Sequence, residues 1–389
     1  MRKKHFLFAS VLALLCGSST LHAQDFKLTS SGYFKNQGVD VMAFDDIYPE
    51  GHQGGVCIIM NGHRVATNGD IRLEATPGQW QPVPKQLDRK LGDNSITATL
   101  CYPDSSRHLT GFNPMIYPDL HLIYTVNVES KGKNIEVTVD LDRPIPQEFI
   151  GKVGFNLEFF PGSLFGKPWI MDGQSGIFPQ QPNSPLMTTQ PNYLHTGNYH
   201  DGKKSLADMD KLIGKGYSPI VADDIISEPY AKGTKFTSRP DDPYNKVTIE
   251  SLSGDLQLFD GRMNHNNGWF VLRSNIKPGV TKGAVKWIIT PNVVADWMYQ
   301  PVIQTSQIGY HPTQDKEAVI EMDIRDNRKE TAQIIRIDAD GEKVVKNVTP
   351  ANWGKFLRYN YLKVNFTDVK EPGLYKIKYN TSVSPIFRI

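Results

Sequence analysis

Beyond the first two dozen residues, apolar and polar positions alternate with period two along most of the chain, the spacing of strands that bury one face. The clearest runs lie at 55–60, 95–102, 120–128, 134–141, 152–160, 246–251, 268–273 and 283–289. Repeated across 26–292, they predict a large antiparallel sandwich, either one extended double-sheet domain or two fused ones. Helical spacing is scarce. The best candidate is 205–213, where Ser205 can cap the first turn, Asp208 falls inside it and Gly214 supplies a stop.

A second set of alternating runs, 318–323, 333–338 and 374–379, occupies the stretch 304–389. Between two of them Asp338-Ala339-Asp340-Gly341 carries an Asp-Gly pair of the kind a two-residue hairpin favours, and Pro372-Gly373 marks a further turn. Short strands with turn signals roughly every eight to twelve residues are the pattern of an immunoglobulin-like sandwich. The chain therefore reads as all-β, with a large antiparallel β-sandwich domain at 24–300 followed by an immunoglobulin-like β-sandwich at 301–389. The connector near 290–301 is bracketed by Pro291 and Pro301, and its Asp296-Trp297-Met298-Tyr299 is aromatic enough to pack between the two.

Composition agrees with many turns: 26 prolines and 32 glycines are present. The formal net charge of +2 and the dispersed basic residues offer no track for nucleic acid and no patch for an anionic membrane, so neither is expected as a partner. Residues 1–23 read as a cleavable signal peptide: Arg2, Lys3, Lys4 and His5 precede an apolar stretch, and Leu21-His22-Ala23 stands before Gln24. Export is expected, to the periplasm, the cell surface or the medium, and no later apolar run is long enough for a membrane span. Cys16 lies in the leader, whereas Cys57 and Cys101 fall in strand runs, where they pair if the strands are neighbours and otherwise remain buried thiols.

The longest irregular stretch, 160–217, holds Trp169, Tyr193, His195, Tyr199 and His200 among polar residues. Loops of that length tend to be functional. Trp169, Tyr193 and Tyr199 could stack on sugar rings and are the candidate carbohydrate-binding residues; the competing expectation is that they pin the loop to its own sandwich. The adjacent carboxylates Asp45-Asp46, Asp223-Asp224 and Asp241-Asp242 would point to opposite faces of a strand and read as turns or caps. The polar run from Arg262 to Gly268 reads as a turn before Trp269, and His52 and His63 lack a third ligand at metal spacing. No phosphate loop, dinucleotide fingerprint or nucleophile elbow occurs, so no catalytic residue, metal or cofactor is assigned.

Four blocks in order, Ser306-Gln307-Ile308-Gly309-Tyr310-His311-Pro312, Lys316-Glu317-Ala318-Val319-Ile320, the run from Phe366 to Tyr375, and Ser384-Pro385-Ile386-Phe387-Arg388-Ile389, carry a family resemblance. They resemble the immunoglobulin-like module that precedes the catalytic domain in family 9 glycoside hydrolases, the cellulase and endoglucanase family. The resemblance implies an accessory role. In that family an (α/α)6 barrel on the C-terminal side performs catalysis, with aspartates activating water and a distant glutamate protonating the leaving oxygen. That paired-aspartate segment finds no match here, and Asp338-Ala339-Asp340-Gly341 has a different residue order. The expectation is the N-terminal scaffold region of an exported family 9 hydrolase acting on β-glucan-type plant polysaccharide, stopping where the barrel would begin. Its partners would be that intramolecular barrel and a poly- or oligosaccharide, and apolar surface would stay exposed where the barrel packs. A stand-alone exported glycan-binding protein is the alternative.

Overall fold

Strands such as Ser95–Cys101 and Asn134–Leu141 bury every second residue, so each needs another apolar face to cover it. A computed structural model of the chain describes residues 25–45, 54–74, 76–77, 84–102, 120–182, 227–263 and 268–389. In it, nine strands form one sheet in the order Lys27–Leu28, Phe34–Asn36, Val39–Ala43, Val56–Met60, His63–Leu73, Val153–Phe159, Phe270–Asn275, Leu256–Asp260 and Ala231–Gly233. Nine more form a second sheet, in the order Gln174–Ile177, Pro168–Met171, Lys235–Ser238, Val247–Ser251, Val285–Pro291, Asn134–Leu141, Ile123–Lys131, Ser95–Cys101 and Lys85–Leu91. The inward side chains of both sheets make one core, in which the Phe155 ring meets Trp287 edge-on at 4.9 Å.

The C-terminal region builds a smaller sandwich. One sheet has the order Val302–Gln304, Glu317–Asp323, Tyr359–Asn365 and Ala351–Phe356; the other runs Gly341–Val348, Ala332–Asp338, Leu374–Tyr379 and Ser382–Val383, with Phe387–Arg388 also on Leu374–Tyr379. Its core, centred on Ile320, Ile334, Leu362, Val364, Ile377 and Phe387, shares no member with the first. The sequence blocks quoted above are the joints of this sandwich. Tyr310 sits edge-on to Phe366 and Phe387 at 5.0 and 5.3 Å, and Gly309, at φ +84°, lies so close to Arg388 that a Cβ would come within 2.7 Å of its carbonyl. Lys316 is fully buried and its ammonium donates to the carbonyls of Pro312 and Gln314 at 2.9 and 3.0 Å.

All pairings among the described residues are antiparallel, and only short 3-10 turns interrupt them. The helix expected at 205–213 lies outside the described residues. Cys57 and Cys101 belong to different nine-stranded sheets, so their strands are not neighbours and the two form no disulfide.

Candidate functional site

The strand Pro168–Met171 carries Trp169 into the core, 7% exposed, with Gly176 opposite it on the neighbouring strand. A Cβ at Gly176 would stand 2.4 Å from the indole, so the ring is covered and packs its own hairpin. Tyr193, Tyr199, His195 and His200 lie outside the described residues. The Asp242 carboxylate accepts from Arg239, from Asn245 Nδ2 at 3.0 Å and from the Tyr244 amide at 2.9 Å, closing a turn. Arg262 lies over the rings of Phe165 and Phe270 while donating to Asp260 and to the carbonyls of Pro179 and Gln180.

The large sandwich also brings together charges that sequence reasoning missed. Asp70 and Arg72 on His63–Leu73, Glu74 just beyond it, Asn156 and Glu158 on Val153–Phe159, and Arg273 on Phe270–Asn275 lie on three adjacent strands of one sheet, and none is more than 6% exposed. Asn156 Nδ2 donates to Glu74 Oε1 at 2.6 Å. Arg273 donates to Asn156 Oδ1 at 3.1 Å and to the Glu74 carbonyl at 2.8 Å. Asn68 donates to Glu158, and Tyr124 Oη donates to Asp70 Oδ1 at 3.0 Å. Burial outweighs these partners at two carboxyls, raising Glu74 to about 7 and Asp70 to about 6. Such values suit proton transfer, and the bonds among Glu74, Asn156 and Arg273 tie three strands together. The signal was present as the alternation Asp70-Ile71-Arg72-Leu73-Glu74, which a solvated face would show equally.

An open cleft lies where the two sandwiches meet. A cleft of about 480 Å³ is bounded by the strands Lys27–Leu28, Phe34–Asn36 and Val39–Ala43 on one side and by Trp297, Tyr299, Arg325, Arg358 and Tyr359 on the other. Two hairpin tips of the large sandwich press on the connector. A Cβ at Gly38, φ +67°, would stand 2.7 Å from the Trp297 ring, and one at Gly62, φ +84°, 3.2 Å from Tyr299. The Trp297 carbonyl accepts from Gln37 Nε2 and Arg325 Nη2, each at 2.7 Å, and Arg358 Nη1 reaches Asp40 Oδ2 at 3.0 Å across the junction. Asp323 accepts from Arg325 and from the Tyr299 amide, and these bonds hold its carboxyl down at about 2 despite partial burial. Desolvation pushes Asp40 up, opposed by Arg358 and Lys35.

From the cleft a row of rings runs out over the smaller sandwich. Trp297 to Tyr299, Tyr299 to Tyr359, Tyr359 to Tyr361 and Tyr361 to Trp353 are 6.4, 5.1, 6.0 and 5.5 Å apart between centroids. Glu321 accepts from the hydroxyls of both Tyr299 and Tyr361, at 2.9 and 3.1 Å, and so fixes two of the rings. Sequence reasoning singled out Trp297 and Tyr299 as packing residues but missed the row, because Trp353 joins it through an irregularity in the pairing of Ala351–Phe356 with Tyr359–Asn365.

None of the curated proteins compared with the chain matches it. Several solved structures are similar in part, three of them as follows. A metagenome-derived glycoside hydrolase family 9 endoglucanase is 29% identical over 23% of this chain and 18% of its own, with a TM-score of 0.21. The Slr1438 protein of Synechocystis sp. PCC 6803 is 10% identical over 75% of this chain and 100% of its own, TM-score 0.31. The heparan sulfate lyase HepC of Pedobacter heparinus is 11% identical over 77% of this chain and 41% of its own, TM-score 0.26. The chain thus spans less than a fifth of the endoglucanase it is similar to. Residues 298–384 match the family model of the cellulase N-terminal ig-like domain, so this part of the chain is a cellulase-associated immunoglobulin-like domain.

Proposed function

We propose that the chain is the exported, non-catalytic accessory region of a family 9 glycoside hydrolase that acts on β-glucan-type plant polysaccharide. Hydrolysis falls to an (α/α)6 barrel that these 389 residues do not include. The observation that carries this reading is the match of residues 298–384 to the cellulase module, on a stretch folded as a two-sheet sandwich. Two further features support it. The sequence carries no match to the family's paired-aspartate segment. Ile308 and Ile386, 93% and 61% exposed, lie beside the terminal strand Phe387–Arg388 and offer apolar surface on which a barrel can pack.

The reading is tested by joining a family 9 catalytic barrel behind Ile389 and comparing it with the barrel alone on barley β-glucan. An accessory scaffold lengthens the lifetime of the activity at elevated temperature, and Ile308→Asp with Ile386→Asp removes the gain. Equal lifetimes for all three proteins contradict the reading.

A further inference from the structure

We propose that the cleft between the sandwiches, together with the aromatic row leading out of it, binds a single uncharged polysaccharide chain. The inference starts from ring placement. Five aromatic side chains follow one another at 5.1 to 6.4 Å from the cleft wall to the outer edge of the small sandwich. Sugar rings present apolar faces of C–H bonds and rims of hydroxyls, and a series of aromatic faces beside polar groups is complementary to both. The cleft volume of about 480 Å³ falls within the range of ligand sites.

The row is held in place without a ligand. Glu321 tethers the hydroxyls of Tyr299 and Tyr361, and the Tyr299 amide is fixed by Asp323. Binding therefore does not have to order these rings, which saves the cost of immobilising them. Trp353 is 56% exposed on the edge strand of its sheet, with Phe356 beside it at 57%. Large rings left in water on a sheet edge mark a surface that something covers.

Ring angles and charges narrow the occupant. Successive rings are inclined at 56 to 88°, so they do not form the flat platform that the face of a crystalline polysaccharide would need. A single chain can lie along the row, stacking on the exposed Trp353 and meeting the rims of the rings that lead back to the cleft. Arg325 and Arg358 at the cleft mouth are already bound to Asp323 and Asp40, and Glu321 stands between the tyrosines, so the row is no cationic track for a polyanion. The paired arginines and the ammonium groups of Lys27 and Lys35, cross-strand neighbours lining the cleft, are donors for hydroxyls.

The binding site does not depend on the function proposed above; the choice of a β-glucan as first probe rests on that reading. The test is affinity electrophoresis of the full chain in native gels containing barley β-glucan, xylan or galactan, with polygalacturonate as the polyanion. The site predicts retardation in at least one neutral gel. Trp353→Ala weakens it about threefold to tenfold, the worth of one aromatic face. Ile308→Ala, an exposed change elsewhere on the module, leaves it intact, and thermal melting shows that both variants are folded. Retardation by xylan or galactan but not by β-glucan keeps the site and contradicts the β-glucan reading. No retardation in any neutral gel, equal retardation of Trp353→Ala and the unaltered chain, or retardation by polygalacturonate alone overturns the site.

Discussion

Glu74 and Asp70 hold protons at pH values where an exposed carboxyl has lost them, since burial lifts them to about 7 and about 6 from the ordinary 4.5 and 3.8. The folded chain then binds more protons than the unfolded chain as pH rises from about 4 to about 7, and stability falls through that window. For Glu74 the full effect is on the order of 3 kcal/mol, taking about 1.4 kcal/mol per pKa unit. The urea midpoint should be higher at pH 5 than at pH 7.5, and Glu74→Gln, which keeps an acceptor for Asn156, should flatten the difference; an unchanged slope in that variant contradicts the assignment. Asp323 has the opposite sign. Its carboxyl is held at about 2, so its contribution is complete above pH 4 and is lost as pH falls toward 2. Asp323→Asn should remove that acid-side loss when unfolding is followed from pH 4 to pH 2. None of this was legible in the sequence, because Asp70, Arg72 and Glu74 alternate with apolar residues just as a solvated strand face would. Whether a charged face meets water is decided by what lies over it, which periodicity does not record.

At the level of elements, the apolar runs were legible and the mixed ones were not. The runs at 134–141 and 246–251 became the strands Asn134–Leu141 and Val247–Ser251. Lys85–Leu91, with four charged residues in seven, forms an edge strand that alternation alone does not reveal. The hairpin at Asp338–Gly341 was placed correctly, but its loop is Ala339-Asp340, and Gly341 opens the next strand at φ 129°. The connector follows its composition: Trp297 and Tyr299 pack under two glycine hairpins. Gly38→Ala should therefore cost more than the roughly 1–2 kcal/mol of a left-handed backbone, because its Cβ also meets Trp297. Thermal melting checks this, and a loss below 1 kcal/mol would mean that the hairpin does not bear on the indole. Lys316→Met tests the small sandwich in the same way. It removes the ammonium that gathers the carbonyls of Pro312 and Gln314, and leaving them unpaired should cost about 1–3 kcal/mol.

Over the whole molecule, two separate cores are joined by one connector and a thin set of polar bonds, among them Arg358 to Asp40. The immunoglobulin-like sandwich was the most legible part, because Gly309, Tyr310, Lys316 and Phe387 each occupy a joint that few other residues fit. The aromatic row was the least legible, since its members come from the connector and from two strands that meet only in the fold. The central claim is that this chain supports polysaccharide hydrolysis without performing it, and it is tested most directly by incubating the purified chain with barley β-glucan and with carboxymethylcellulose and measuring new reducing ends. The account predicts none above the background of heat-denatured protein; steady release in proportion to the amount of chain would contradict it.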